Sequence, residues 1–411
     1  MKRARFTVGI DACCWSNQRG FGRYTRQLVR AMLRYEPETR YVLFVDRHTA
    51  RTTTLPDGAH VVVVPTRQAP TEAASAGGHR SFADLVALAG AVRRQPFSVF
   101  FFPSHYTYVP LLTRRPILVG IHDISASIHP EEHYSSHRNR WMATIKERAA
   151  ILQATHVVTP SEASRRQICD AYPTVGKRIR VIGHGSTQNF QPLPRSACSD
   201  LAAYGLAPND RFMLHVGGLN PIKRIPQLID SFADWRLKSG ISDVSLLCIG
   251  ENRDDPYLSD MAAIRTRIAA RGLEGQVRLI GYVPDEHLVQ FYNAATVLVF
   301  PSEGEGFGLP VIEAMACGTP TLASNRGALP EVVGDSGRLF DPSLPGDLER
   351  GMTAFFTNPA GLRDLRARCL SRIQRFSWKQ AASETVALLE NLAREADTLV
   401  PVRPGHDRMK I

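Results

Sequence analysis

The chain predicts two α/β domains, each a doubly wound and mainly parallel sheet with helices on both faces. Short apolar runs of strand length alternate with helix-length periodic segments along most of its 411 residues. Such alternation builds parallel strands joined by crossover helices. At several strand ends the chain turns through glycines directly into a helix, which is how doubly wound domains open. The length exceeds what one hydrophobic core ordinarily organises, so two units of about 200 residues are the natural division.

The first unit begins with a strand at residues 6–10, a loop from Asp11 to Gly22, and a helix whose apolar face runs through Tyr24, Leu28, Ala31 and Met32. Further strands are predicted at 41–45, 60–64, 99–102 and 117–121, with a helix at 82–94. The segment 66–81, rich in Ala, Gly, Pro and Thr and without periodicity, reads as a mobile loop placed for ligand contact. In VVTPSEASRRQI (157–168), Ser161 takes a helix N-cap position. Three prolines in QPLPRSACSDLAAYGLAPND break the alternation and place a boundary, giving units 1–195 and 196–376. The second unit reads as strands at 212–216, 245–249, 277–280 and 297–300, with helices at 225–238, 256–271 and 286–294. Helical patterns at 345–357, 359–374 and 378–396 follow, and 397–411 lack apolar periodicity and read as a disordered tail.

Hydrophobic content of 44% and charge of 22% are ordinary for a soluble globular protein. No apolar run reaches the ~18 residues of a transmembrane helix, and the N-terminus has no signal-peptide core, so a cytoplasmic location is expected. Seven cysteines, an odd number without a CxxC pair or His/Cys ligand spacing, suit a reducing compartment and argue against structural zinc. The net charge of +11 is uneven: residues 1–195 hold 27 Lys+Arg against 13 Asp+Glu, the remainder 23 against 26, so the halves carry +14 and −3. A basic half suits nucleic acid, an anionic membrane surface or a pyrophosphate-bearing substrate. Without a helix-turn-helix, zinc-finger or RNP motif, nucleic acid is not expected. A membrane surface, an anionic second substrate and a merely solvated basic face remain.

The densest chemistry lies in FPSEGEGFGLPVIEAMACGTPTLAS, Phe300 to Ser324. Pro301 and glycines 304, 306 and 308 make a tight turn after a buried strand, and Pro310 enters the first turn of a helix, where its missing N–H does no harm. The outward backbone N–H groups and the helix dipole favour an anion, and glycines let a diphosphate approach the backbone. Glu305 precedes the helix and Glu313 lies about one turn into it. A carboxylate accepts two hydrogen bonds from a vicinal diol, so one suits a ribose and the other a sugar, the chemistry of a nucleotide-diphosphate sugar. A lone GxG with two surface glutamates would be far less specific.

Glu305-GFGLPVI-Glu313, followed by AMACGTP and by NRGALPEVVGDSGRLFDP at 325–342, resembles the E-x7-E signature of retaining glycosyltransferases of the GT-B fold, family 4. The resemblance implies two Rossmann-like domains facing across a cleft, with the donor on the second and the acceptor on the first. It also implies a last helix, 377–396, crossing back to the first domain at Ser377-Trp378. Gly217-Gly-Leu-Asn-Pro-Ile-Lys-Arg224 resembles the family's VGRLxxxKG or VGTLxPRKN motif, its lysine being Lys223, placed for the leaving diphosphate. The arginine many members carry there is absent, Gly218 and Ile222 standing at the corresponding places, with Arg224 as a substitute.

Gly20-Phe-Gly-Arg-Tyr24 resembles the GGxGxY loop, with Arg19 in place of its first glycine. The resemblance assigns Gly22 to the donor and Gly20, Phe21, Arg23 and Tyr24 to the acceptor side; the alternative is glycines needed only for close helix packing. His122-Asp123, at the end of the 117–121 strand, corresponds to the family's His-Asp pair. His122 is implied to position the transferred sugar, with Asp123 and His105 toward the acceptor. The implied donor set is completed by Gly217, Tyr282, Val283, Gly306, Phe307, Gly308, Leu309 and Glu313, and the catalytic set is His122, Lys223 and Glu305.

No metal or other cofactor is implied, since Lys223 and the backbone amides meet the diphosphate; Asp254-Asp255 lies in a loop before a helix rather than in a strand-end DxD. The implied activity is retaining hexosyl transfer to a glycan or lipid-linked acceptor in bacterial surface polysaccharide or glycolipid assembly. Mannose- or rhamnose-type transfer is favoured, leaning to GDP-mannose over UDP-sugars, at the inner face of the membrane. A sugar phosphorylase or nucleotide-sugar epimerase on the same fold, or an inactive basic binding protein, are the alternatives.

Overall fold

The structure is a computed structural model that describes residues 6–17, 20–66, 81–134, 136–187, 189–250 and 259–399. Arg19, most of the 66–81 loop, Asp254-Asp255 and the segment 400–411 lie outside the described residues.

The first domain runs β1 (Thr7–Asp11), α1 (Gly20–Tyr35), β2 (Arg40–Asp46), α2 (Arg47–Thr52), β3 (His60–Val64), α3 (Phe82–Arg94) and β4 (Val99–Phe102). It continues with β5 (Ile117–Gly120), α4 (Ser125–Ile128), α5 (His137–Gln153), β6 (His156–Thr159), α6 (Glu162–Ala171) and β7 (Ile179–Val181). The second domain opens with β8 (Arg211–Val216), α7 (Ile225–Ser239), β9 (Val244–Ile249), α8 (Met261–Ala270), β10 (Val277–Gly281) and α9 (Asp285–Ala294). Then come β11 (Val297–Phe300), α10 (Leu309–Ala316), β12 (Thr321–Ser324), α11 (Leu329–Val333), β13 (Gly337–Phe340), α12 (Asp347–Thr357), α13 (Pro359–Arg372) and α14 (Trp378–Leu399). The helix expected over 256–271 is described as Met261–Ala270.

Both sheets are parallel, with strand orders β3-β2-β1-β4-β5-β6-β7 and β10-β9-β8-β11-β12-β13. The doubly wound fold class read from the alternation is therefore the fold observed. Strands β4 (VFFF) and β11 (VLVF) are buried at every residue, as central strands covered on both faces must be. Strand order reverses between β1 and β4 and again between β8 and β11. A crevice opens at the carboxyl ends of strands at such a reversal, and ligands of open α/β sheets bind there. Each domain therefore presents one such crevice.

The last helix belongs to the first core despite its place in the chain. Ala382, Val386 and Leu389 of α14 are buried with Val8 and Ile10 of β1 and with Leu28 and Met32 of α1. Its crossing runs backbone to backbone against the segment that leaves the first domain. The Ser186 N–H donates to the Phe376 carbonyl at 3.1 Å, and a Cβ on Gly185 would stand 2.1 Å from the Trp378 nitrogen. Only glycine permits that approach. Among the described residues, no helix is long and apolar enough to cross a membrane.

Candidate active site

The second-domain half of the site forms where the loops after β8 and β11 meet at the strand-order reversal. The Glu303 N–H donates to the Ile222 carbonyl at 2.9 Å, zipping the two loops together. That bond carries Lys223 to Glu305: the ammonium pairs with Glu305 Oε1, and the two side chains are only 16% and 14% exposed. The ammonium also stands 5.3 Å from the centroid of the Phe300 ring, whose face attracts a cation. Beyond Glu305, Gly308 adopts φ 98, a left-handed conformation that suits glycine, and Pro310 occupies the first turn of α10.

Glu313, one turn into α10, is buried. Its Oε2 accepts a hydrogen bond from the Tyr292 hydroxyl at 3.0 Å, and its Oε1 lies 3.0 Å from Arg23 Nη1. Arg23 also donates to Asp285 Oδ2 at 2.8 Å and covers the Phe190 ring at 5.4 Å. Burial pushes the Glu313 carboxyl above the usual range, and Arg23 and Tyr292 oppose that push. Arg23 belongs to α1 of the first domain. Where the sequence suggested an acceptor-side arginine, the structure shows this ion pair: a buried carboxylate requires a counter-charge, and an arginine at this place on α1 is long enough to supply one from across the cleft.

The first-domain half centres on His122, just past β5. Its Nε2 stands 3.0 Å from the Pro103 carbonyl, which fixes a proton on that nitrogen and leaves the lone pair on Nδ1. Burial lowers the imidazole to about 4, with Asp123 and the Pro103 carbonyl pulling the other way, so the ring is neutral at pH 7. Asp123 Oδ1 accepts from the Ser125 N–H at 3.0 Å and its hydroxyl at 2.6 Å, holding the start of α4.

These two halves touch through Gly306. A Cβ there would lie 2.1 Å from the His122 carbonyl oxygen. The Gly306 carbonyl accepts from Ser161 Oγ at 2.8 Å, and Ser164 Oγ lies 3.0 Å from the His122 carbonyl and 3.2 Å from that of Gly306. Ser161 also caps α6 by accepting the Ser164 N–H at 3.0 Å. The carboxylate of Glu331, on α11 of the second domain, receives the N–H of Glu162 at 3.0 Å and of Ala163 at 3.3 Å, capping the same helix from the other side of the cleft. The middle glycine of the turn is thus required by the approach of the domains.

Several expected site residues are not on the cleft surface. A Cβ on Gly22 would meet the Asn17 carbonyl oxygen at 2.2 Å, so close packing accounts for that glycine without a donor. Gly20 instead looks across at Leu309, 4.0 Å from where its Cβ would be. Phe21 is buried with its ring 5.3 Å from Tyr106. Tyr24, expected on the acceptor side, is buried edge-on against His122 at 4.5 Å and supports that ring from below. His105, expected toward the acceptor, is buried with its ring tilted against Tyr106 at 4.2 Å and its imidazole lowered to about 3 by burial.

Phe307 turns its side chain inward against His184 and Phe376, at 4.6 and 5.8 Å, leaving only its backbone to face a donor. Val283 is part of the second core, whereas Tyr282 is 63% exposed beside Gly281, whose φ of 82 accompanies a bulge in β10. Gly217 brings its backbone within 3.8 Å, at the Cβ position, of Lys223 Cε. Arg224, left-handed at φ 54, spans the cleft to Glu132 at 2.8 Å and approaches Glu303 at 3.8 Å. Among the described residues, His129, Glu131 and Glu132 bring three potential metal-ligand atoms within 4.8 Å of one another, but Glu132 is already neutralised by Arg224.

Sequence reading missed Tyr292, Asp285 and His184. His184 lies in the segment leaving the first domain, and neither ring nitrogen has a hydrogen-bond partner. Its neighbours are rings: Tyr24 at 4.6 Å, Phe307 at 4.6 Å, His122 at 5.5 Å and Trp378 at 5.8 Å. Burial holds its imidazole well below the ordinary value and therefore neutral. No periodicity marks such a residue in VIGHGS. The only sequence signal was a histidine flanked by glycines at the exit from the last strand.

Residues 199–375 match the sequence model of glycosyl transferases group 1, and residues 19–186 that of glycosyltransferase family 4. The chain is 30% identical over 280 residues to O-antigen chain mannosyltransferase B of Escherichia coli, covering 68% of this chain and 71% of that protein. Over 230 residues it is 30% identical to the serotype-specific mannosyltransferase WbdA of Escherichia coli, covering 56% of this chain and only 26% of that longer protein. Among solved structures, sucrose-phosphate synthase from Thermosynechococcus elongatus superimposes with a TM-score of 0.74 at 20% identity, covering 95% of this chain and all of the other.

Proposed function

This chain belongs to glycosyltransferase family 4 and has the GT-B fold, and from that premise we propose that it is a retaining hexosyltransferase using a nucleotide-diphosphate sugar. The observation that carries the reading is the Lys223–Glu305 pair at the strand-order reversal of the second sheet, joined through Gly306 to the backbone of His122. A cation, a diol-binding carboxylate and a neutral imidazole with a free lone pair thus share one cleft.

In this reading Lys223 leaves Glu305 for the donor's β-phosphate and meets the charge that grows there as the glycosidic bond breaks. Glu305, released, takes the hydroxyls of the transferred sugar. His122 accepts from a sugar hydroxyl through Nδ1 and positions the ring. Glu313 receives the ribose diol once Arg23 turns aside. No side chain is assigned as nucleophile. The acceptor hydroxyl attacks from the face the diphosphate leaves, and a phosphate oxygen takes its proton, which keeps the anomeric configuration. Charge on the leaving group is met by Lys223 and backbone amides, without an essential metal.

Similarity to an O-antigen mannosyltransferase supports mannose as the sugar and GDP-mannose as the donor, with a growing glycan or lipid-linked saccharide as acceptor. The basic first domain supports work at the cytoplasmic face of a membrane. The test is incubation with GDP-, UDP-, ADP- and dTDP-sugars, with and without acceptor and with a chelator. Acceptor-dependent release of nucleoside diphosphate, unaffected by the chelator, and a product with the donor's anomeric configuration by NMR are expected. Phosphate-dependent glycan cleavage, inversion at C2 of the sugar, or an inverted anomer would each sink the reading.

A further inference from the structure

Helix α5 is built inside out. Its buried residues are Glu147, Ala150 and Ile151, and Glu147 is held by the hydroxyls of Ser127 and Tyr172. Apart from Ile151, its large apolar side chains point the other way: Trp141 is 63% exposed, Met142 39%, Ile145 43% and Leu152 79%. With spacings of three, four and seven they fall on one stripe of the helix, and exposed Arg138 and Arg148 lie on the same stripe. At the helix end, the Gln153 amide clamps the Leu111 backbone from both sides, at 2.7 and 3.0 Å. The next residue of that loop, Leu112, is 84% exposed.

We propose that this outward face of α5 docks the protein on an anionic lipid bilayer. An apolar stripe with a tryptophan and interspersed arginines is the chemistry of a helix that lies in the headgroup region, its apolar side chains in the acyl boundary and its cations on the phosphates. Charge selects this occupant. The face belongs to the half of the chain carrying +14. A second copy docking through the same face by two-fold symmetry would set Arg138 and Arg148 against arginines of like charge.

Position gives the docking a use. Lys146 of α5 donates to the Tyr106 carbonyl, and Ser127 of α4 bonds Glu147, so the helix is fastened to both loops that flank His122. Docked, the first-domain side of the cleft opens beside the membrane, where the sugar of a lipid-linked acceptor lies. That last step rests on the transferase reading; the docking itself does not.

The test is sedimentation of the full chain with vesicles of phosphatidylglycerol and phosphatidylcholine, or of phosphatidylcholine alone, at low and high salt. Tryptophan emission is followed in parallel, since Trp15 and Trp235 are sealed in the cores while Trp141 is open. Binding to the anionic vesicles only, weakened by salt, with a blue shift of the emission, is expected. Trp141→Phe should keep sedimenting and lose the shift. Trp141→Asp with Ile145→Asp should lose at least about 10-fold in binding, with thermal unfolding and nucleoside-diphosphate binding unchanged. Equal binding to neutral vesicles, undiminished binding of the double variant, or a wild-type dimer that the double variant dissociates without any vesicle binding would overturn the docking face. Vesicle binding without nucleoside-diphosphate binding would leave the docking face standing and sink the transferase reading instead.

Discussion

Glu305 and Glu313 are the same residue type on one short stretch of chain, and the fold gives them opposite circumstances. Glu305 faces Lys223 of its own domain, each partly open to the cleft. Glu313 is sealed, bonded to Tyr292 from its own domain, and its counter-charge arrives from the other domain on Arg23. A pair made within one domain survives any change in how the domains face each other. A pair made between domains does not, because separating them leaves a buried carboxylate without its cation, and that is costly. The availability of Glu313 is therefore tied to domain juxtaposition, and that of Glu305 to whatever draws Lys223 away.

The sharpest way to break this comparison is to remove the cation that stays within the second domain. Lys223→Ala should lower kcat by roughly 10²-fold, the range for loss of one preorganised charge on a leaving group, with a smaller change in donor affinity. Steady-state and single-turnover kinetics read this. A rise in KM alone would mean that Lys223 serves only to hold Glu305.

Removing the cation that crosses the cleft should act on stability first. Arg23→Gln strips a buried carboxylate of its partner and should cost about 2 kcal/mol at neutral pH, less than the loss of a fully sealed pair because Glu313 can take up a proton instead. The cost should shrink on acidification, as Glu313 becomes neutral in the variant. Denaturant titrations at two pH values decide it, and a pH-independent cost would show that packing against Phe190 is what Arg23 contributes.

The seam on the first-domain side uses neutral rings where the other uses charges. His122 and His184 are held below the ordinary histidine value by burial. Their stabilising neutrality is fully present above the unfolded value near 6.5 and is lost as pH falls below it, because the unfolded state then binds protons that the folded state does not. Unfolding free energy should therefore decline between about pH 6.5 and 4, the lower edge set by His122. His184→Phe fits among rings and gives up no hydrogen bond, so it should flatten that decline by up to about 1.4 kcal/mol per pH unit while leaving stability at pH 7 nearly unchanged. An unaltered slope would mean that His184 already carries its proton in the folded protein.

Much of this was legible because strand-and-helix alternation and a glycine turn are local signals. The two turns that carry Lys223 and Glu305 were legible; that the two side chains pair at one strand-order reversal came only from the structure. The pairing of Arg23 with Glu313 was not legible, because a sequence tells which face of α1 is polar and not what stands opposite that face. Gly22 and Gly306 were read as room for a diphosphate. A missing side chain equally makes room for the Asn17 carbonyl or the His122 carbonyl, and the sequence does not distinguish ligand from backbone. Helix α5 escaped notice because its apolar residues fall on both faces, Trp141, Ile145 and Leu152 outward and Ala150 and Ile151 inward, so no single stripe stands out in the sequence.

Calorimetry on Glu305→Gln and Glu313→Gln, with free nucleoside diphosphate and with a non-transferable donor analogue, tests the division between the two glutamates most directly. Exchanging one acceptor oxygen for a donor at the ribose should cost about 1–3 kcal/mol, so Glu313→Gln should weaken both ligands alike. Glu305→Gln should bind the bare diphosphate at least as tightly as the wild type, since Lys223 no longer has to leave an ion pair, and weaken only the analogue, whose sugar is its partner. If Glu305→Gln weakens the bare diphosphate as much as Glu313→Gln does, the two carboxylates do not divide sugar from nucleotide, and the account of this site fails.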